Sequence, residues 1–230
     1  MDIRILHLLD GARSAEGLTV IIDVFRAFSL EAYLYEAGAR CIIPVGTVEE
    51  AFSVKKKHPD YVLAGERNGK KVEGFDLGNA PSAVKDLDVK GKTIIHTTSA
   101  GVQGLVSAQN SSEIITGALV NASAIARYIA KNKTSVVSLV AMGWNGARET
   151  EEDELCAAYI KSILEGNPVK DIVKQADELR YTEGKKFFDP AQQSVFPQGD
   201  FPLCTAVDAM NFVIHVKQTE EGLVTEREDV

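Results

Sequence analysis

Positive charge is scarce in this chain: 25 Lys+Arg stand against 33 Asp+Glu, a formal net charge of −8 at pH 7. Such a surface repels phosphate backbones and anionic headgroups, so neither nucleic acid nor membrane is expected as a partner. Long apolar runs are missing too, and none approaches the roughly 20 residues of a transmembrane helix. The start, Met1-Asp2-Ile3-Arg4, lacks the basic segment and small-residue cleavage site of a signal peptide. Cysteine is sparse. Cys41, Cys156 and Cys204 are odd in number and far apart, which argues against a disulfide framework or a zinc knuckle. Together these absences point to a reducing cytoplasm.

Familiar catalytic signatures are absent as well. His7, His58 and His215 fall in an opening strand, a lysine-rich helix end and a late strand. His96 precedes Thr97-Thr98-Ser99, but no Gly-x-Ser-x-Gly elbow surrounds Ser99, so a serine hydrolase is not assembled. The spaced glycines and Lys-Ser/Thr pair of a P-loop are missing. Asp23-Val24-Phe25 has no second aspartate, so the Asp-x-Asp of phospho-aspartyl phosphatases is missing too.

What is there is an ordinary globular composition, 45% hydrophobic and 25% charged, over 230 residues. The apolar runs Ile3 to Leu9, Leu18 to Val24, Arg40 to Val45 and Tyr61 to Ala64 read as strands. So do Lys92 to Thr97, Glu113 to Thr116 and Ser135 to Met142. Helical patterns separate them: Phe28 to Gly38 with Ser29 as N-cap, a helix opened by the Thr47/Glu50 capping box, Ser82 to Leu87, Ser99 to Gln109 and Asn121 to Lys131. Asp10 to Arg13 reads as a polar turn. Glu151 to Leu164 and Val169 to Leu179 read as further helices, 184–199 as a lid or interface segment, and Phe212 to Val216 with Leu223 to Thr225 as a closing hairpin.

This alternation predicts an α/β protein, a three-layer αβα arrangement with mostly parallel sheets and right-handed crossovers. Ile21-Ile22 and Ile94-Ile95 lie 73 residues apart, Ile42-Ile43 and Ile114-Ile115 72, and Asn68-Gly69 and Asn145-Gly146 77. That spacing suggests two similar β-α-β-α-β halves followed by a C-terminal helical and hairpin segment. The expected organisation is one unit, 1–230, with subdomains 1–88 and 89–230. A homo-oligomer is compatible with the sequence, and nothing in it selects one.

In open α/β sheets ligands bind beyond the carboxyl ends of the strands. That rule selects the loops Asp23 to Ser29, Glu66 to Asn79, Thr97 to Gly101 and Gly143 to Asp153. The second is the most unusual: Gly65, Gly69, Gly74 and Gly78 punctuate Glu66, Arg67, Asn68, Lys70, Lys71, Glu73, Asp76 and Asn79. Carboxylates beside cations and amides suit a metal ion bridged to a bound anion, the alternative being a solvated, salt-bridged loop. Asp23 at the end of an apolar strand needs compensation by a metal or Arg26, unless it only caps the next helix. Thr97, Thr98 and Ser99 at a strand-to-helix junction offer N–H groups and hydroxyls to an anion, or serve as an N-cap cluster. Glu149 to Glu154 either complement a helix dipole or share one face through Glu149 and Asp153.

The blocks Asp23-Val24-Phe25-Arg26-Ala27-Phe28-Ser29, Gly65-Glu66-Arg67-Asn68-Gly69 and Glu73-Gly74-Phe75-Asp76-Leu77-Gly78-Asn79-Ala80-Pro81 closely resemble the 2-phosphosulfolactate phosphatase family. So do Thr97 to Gly101, Glu152-Asp153 to Cys156-Ala157 and Asp200-Phe201-Pro202-Leu203-Cys204. The sequence departs from the family at Ala80, where Ser is more frequent, and at Ser99-Ala100-Gly101, where Asn-Gly-Thr is common. The resemblance implies a Mg2+-dependent phosphomonoesterase that releases phosphate and sulfolactate from a small anionic phosphorylated substrate, a step in making coenzyme M. It also implies Asp23, Glu66 and Asp76 as metal ligands or general-base carboxylates, with Asp153 as a further ligand. Arg26, Arg67 and Lys70 would neutralise the substrate's anionic groups. Asn68, Asn79, Thr97, Thr98 and Ser99 would donate to them. Attack by water and a phospho-aspartyl intermediate at Asp23 both stay open, as do a different phosphorylated hydroxy acid and a non-catalytic binding protein.

Overall fold

Apolar, β-branched strands need cover on both faces, and here helices on both sides of the sheet supply it. The computed structural model describes residues 1–230. Its strands are β1 (Asp2–His7), β2 (Gly17–Ile22), β3 (Cys41–Pro44), β4 (Val62–Arg67), β5 (Lys70–Lys71), β6 (Thr93–Thr97), β7 (Ser111–Gly117), β8 (Val136–Ala141), β9 (Phe212–Thr219) and β10 (Gly222–Asp229). They form one sheet in the order β1-β8-β2-β7-β9-β10-β3-β6-β4-β5. The helices are α1 (Leu8–Ser14), α2 (Ala27–Glu36), α3 (Val48–Lys57), α4 (Gly101–Ser107), α5 (Ala122–Asn132), α6 (Glu151–Leu164), α7 (Ile172–Glu178) and α8 (Asp200–Cys204). None is long and apolar enough to cross a membrane.

The sheet consists of two parallel blocks joined by a hairpin. β1, β8, β2 and β7 run parallel, as do β3, β6 and β4. Between them lies the antiparallel pair β9 and β10, with β9 on β7 and β10 on β3. The β10–β3 junction is narrow, Thr225 opposite Ile42, and the buried Tyr35 hydroxyl reinforces it by donating to the Thr225 carbonyl. Strands from either side of residue 88 interleave: β2 lies between β8 and β7, and β6 between β3 and β4. Neither block is a continuous stretch of chain. Three antiparallel pairings separate the blocks, so their strands run in opposite senses. The loops that leave their carboxyl ends nevertheless meet, since Gly101 after β6 donates to Asp23 after β2.

Several local expectations are corrected. The stretch read as a polar turn, Asp10 to Arg13, lies inside α1, whose Gly11 packs against Leu6. Ser29 is not an N-cap. It lies within α2, and its hydroxyl donates to Val24 O. The Thr47 cap forms, accepting from Glu50 N, but Glu50 reaches Gly46 N in place of Thr47 N. The segment 184–199 is built on 3-10 turns and packs Phe187 and Phe196 with Leu179 and Phe201 against Phe25, Trp144 and Leu155.

Gly65 marks where β4 and β6 come closest. At φ +149° it pairs with Thr97, and a Cβ there would lie 2.1 Å from the Thr97 carbonyl oxygen. Backbone cannot yield as a flexible side chain does. Gly65→Ala is therefore expected to cost about 3 kcal/mol or more. Urea denaturation checks this, and an unchanged midpoint would contradict the tight β4–β6 register.

Candidate active site

Each of three carboxylates binds backbone N–H groups from two different places in the chain. Asp23, immediately after β2, accepts from Ala27 N (3.1 Å) through Oδ1 and from Gly101 N (2.9 Å) through Oδ2. Glu66, near the end of β4, accepts from Ser99 N (2.6 Å) through Oε1. Its Oε2 accepts from Gly69 N (2.6 Å) and from Ser99 Oγ (3.2 Å). Asp153, in the first turn of α6, accepts from Val24 N (2.7 Å) and Gly143 N (2.8 Å). Hydrogen bonds from N–H to carboxylate are about twice as strong as neutral ones. They tie the loops after β2, β4, β6 and β8 together. A Cβ at Gly101 would lie 2.9 Å from Asp23 Oδ2 and 3.0 Å from Phe28 Cζ, so in this chain a side chain there would displace the Asp23 carboxylate.

Asp23 and Glu66 face one small cavity of about 30 Å³. Arg26, Asn79, Ser99 and Asn145 line it, with Phe25, Trp144 and Phe196 as apolar walls. That volume holds roughly one or two waters or an ion. Two larger cavities flank it. One, about 760 Å³, shares Trp144 and Phe196 and contains Lys70 and Lys186. The other, about 550 Å³, shares Ser99 and Asn145 and contains Arg67 and Thr98.

Burial pushes the Asp23 carboxyl up to about 6, and the Glu66 charge adds to the push against the Ala27 and Gly101 hydrogen bonds. Burial also raises Asp153, helped by the charges of Glu152 and Asp23. Glu152 is pushed up to about 7 by burial, and its Oε2 has no partner. Two carboxylates on one cavity, with amide and hydroxyl oxygens around them, form a hard-oxygen donor set. Magnesium is held by one or two such carboxylates while keeping several waters. The donor set of Asp23 and Glu66 fits it, and a divalent cation would offset the cost of their two charges.

The sequence profile of 2-phosphosulpholactate phosphatase matches residues 4–219. The chain belongs to this family. A protein of Bacillus subtilis named "probable 2-phosphosulfolactate phosphatase" is 34% identical over 213 residues, 91% of each chain. A relative of the same name from Caldanaerobacter subterraneus is 37% identical over 200 residues, covering 75% of this chain and 83% of its own. One from Carboxydothermus hydrogenoformans is 41% identical over 165 residues, covering 71% and 68%.

The family blocks do not all converge on the cavity. Asp76 is exposed: its Oδ2 accepts from Leu63 N at the start of β4 and lies 4.0 Å from Lys55 Nζ. It is a strand-end anchor remote from Glu66 at the other end of β4. Asp153 stands behind the cavity with both oxygens on backbone, so it braces the site and does not line it. Arg26 lines the cavity while bound to buried Asp200 (2.7 Å), Val195 O and Gly69 O. Arg67 donates to Thr97 Oγ1 (2.9 Å) and lines the flanking cavity, as the exposed Lys70 does on the other side. Asn68 joins Ser99 Oγ to Asn145. Thr98 Oγ1 caps Val102 N. The Ser99 and Gly101 N–H groups, expected to cradle a substrate anion, hold the protein's own carboxylates.

Behind the expected Asn79, His96 and Glu31 escaped the sequence reading. Asn79 Oδ1 lies 3.0 Å from His96 Nε2, and His96 Nδ1 lies 2.8 Å from Glu31 Oε1, a buried chain behind the cavity. A helix-interior Glu and a strand-interior His carry no mark of their pairing 65 residues apart. Lys186 sits in a segment without periodicity, so nothing signalled it.

Folded pKa values above the unfolded ones make the protonated forms of Asp23 and Glu152 the better-tolerated ones. Their stabilising effect is complete near pH 4 and is lost as pH rises through about 6 and about 7. Without divalent cation, stability should fall between pH 5 and 8 by on the order of 3 kcal/mol, at ~1.4 kcal/mol per unit. Thermal melts in chelator check this. A flat or rising Tm across that range would contradict the assigned environments.

Proposed function

We propose that this chain is a Mg2+-dependent phosphomonoesterase that hydrolyses 2-phosphosulfolactate to sulfolactate and phosphate, in the cytoplasm. The observation that carries the reading is the convergence of Asp23 and Glu66, from the ends of two strands, on one cavity. Family membership and the names of the relatives support the phosphatase class and the substrate. Three unpaired cysteines agree with a reducing compartment.

The chemistry supplied by Mg2+ at these two carboxylates is neutralisation of phosphate charge and polarisation of an attacking water. The protein's residues do the rest. Asn79 turns Oδ1 toward His96, which leaves its Nδ2 to donate to a phosphate oxygen. The Ser99 hydroxyl and Asn145 amide line the same space and orient the ester. Trp144 and Phe196 exclude bulk water, which strengthens each of these interactions. Asp23 lines the same space, and an oxygen of it that does not hold the cation is placed to take the water's proton. Asp23-Val24-Phe25 lacks the second aspartate of the phospho-aspartyl phosphatases, which favours water attack over a phospho-aspartyl intermediate.

Phosphate release from 2-phosphosulfolactate and a panel of phosphorylated hydroxy acids, with Mg2+ and with EDTA, tests this. The expected result is fastest release from 2-phosphosulfolactate, abolition by chelation, recovery with Mg2+, and no phosphoprotein trapped on acid quench. Faster turnover of another ester would move the substrate. Full activity in EDTA would remove the metal, and no release from any compound would leave a binding protein.

A further inference from the structure

Of the cations near the site, Lys186 has the least ordinary surroundings. Lys186 lies in the 3-10 turn Glu183–Phe188, at the edge of the 760 Å³ cavity. Its Nζ is 5.0 Å from the centre of the Trp144 ring, 5.4 Å from Phe25, 5.5 Å from Phe196 and 5.7 Å from Phe187. Four rings strip water from this ammonium, and their faces, with the charges of Glu152 and Glu183, repay part of the cost. It makes no hydrogen bond or ion pair with the protein. Glu152 and Glu183 favour its charge through space, but neither is within ion-pair distance of it, and Glu183 is hydrogen-bonded to Arg148 instead. Lys70 faces the same cavity, whose inner wall, Trp144 and Phe196, is also a wall of the carboxylate cavity.

We propose that this cavity is the subsite for the substrate's sulfonate, and that Lys186 is the residue that selects for it. The inference rests on the phosphatase reading, which places the phosphate at Asp23 and Glu66 and leaves the other anions to neighbouring space. A sulfonate spreads its charge over three oxygens, so it loses less hydration than a carboxylate on entering an aromatic-walled space. The caged ammonium donates to it, and Lys70 closes the open side. A site built around such a partner discriminates strongly against an analogue that lacks it, because the cation is then left unpaired.

The test compares 2-phosphosulfolactate with 2-phospholactate, which has hydrogen in place of the sulfonate, in wild type, Lys186→Met and Lys186→Arg. Lys186→Met should lower the ratio of kcat/KM for the two substrates at least ~30-fold, the scale of a lost buried charge-assisted hydrogen bond. Lys186→Arg should bring the ratio back toward wild type, and it decides the matter if the Met variant does not fold. An unchanged ratio, with both substrates falling together, would overturn the proposal and make Lys186 a packing residue. The single Trp, Trp144, gives a readout independent of turnover. Its fluorescence should respond to sulfolactate more tightly than to lactate in wild type, and equally to both in Lys186→Met. If wild type hydrolyses neither ester but this difference holds, the phosphatase reading fails and the sulfonate subsite stands. If hydrolysis proceeds without the difference, the subsite fails alone.

Discussion

The site depends on carboxylates that accept backbone N–H groups from loops far apart in sequence. Asp23 spans 78 residues to Gly101, Glu66 33 to Ser99, and Asp153 129 to Val24. Each bond satisfies a buried donor, anchors an acidic side chain in one rotamer, and fixes one loop against another. The same bonds bring negative charge together in a space with little water. The raised carboxyl of Asp23 is the electrostatic consequence, and a hard divalent cation is its natural remedy.

Alternating apolar and helical patterns were enough to anticipate an α/β sheet. Ile94 and Ile95 are fully buried in β6, as an uninterrupted apolar strand requires. Pairing was not legible. β2 takes partners from residues 111–117 and 136–141, and β10 clasps β3 through Thr225, because strand order depends on non-local contacts that no local pattern encodes. α1 was missed because Asp10, Gly11 and Arg13 look like turn residues, while Gly11 is there to admit Leu6.

At the site, residue type was informative and direction was not. Asp23 and Glu66 stand at the carboxyl ends of strands and meet at the cavity. Asp76, in the densest family block, folds back to the opposite end of β4 and caps Leu63 N. Arg26 reads as a substrate cation, yet its guanidinium is held by Asp200, a partner 174 residues away. Lys186 carries no motif, and only the packing of four rings around it sets it apart.

The central claim is that Asp23 and Glu66 together bind the cation. Anomalous diffraction from crystals grown with Mn2+ in place of Mg2+ tests it most directly. The expected peak lies within bonding distance of an oxygen of Asp23 and one of Glu66. His7, Glu149 and Glu154 offer a rival cluster on the surface, with ligand atoms all within 4.8 Å of one another. A peak there alone, or none beside Asp23 and Glu66, would contradict the claim.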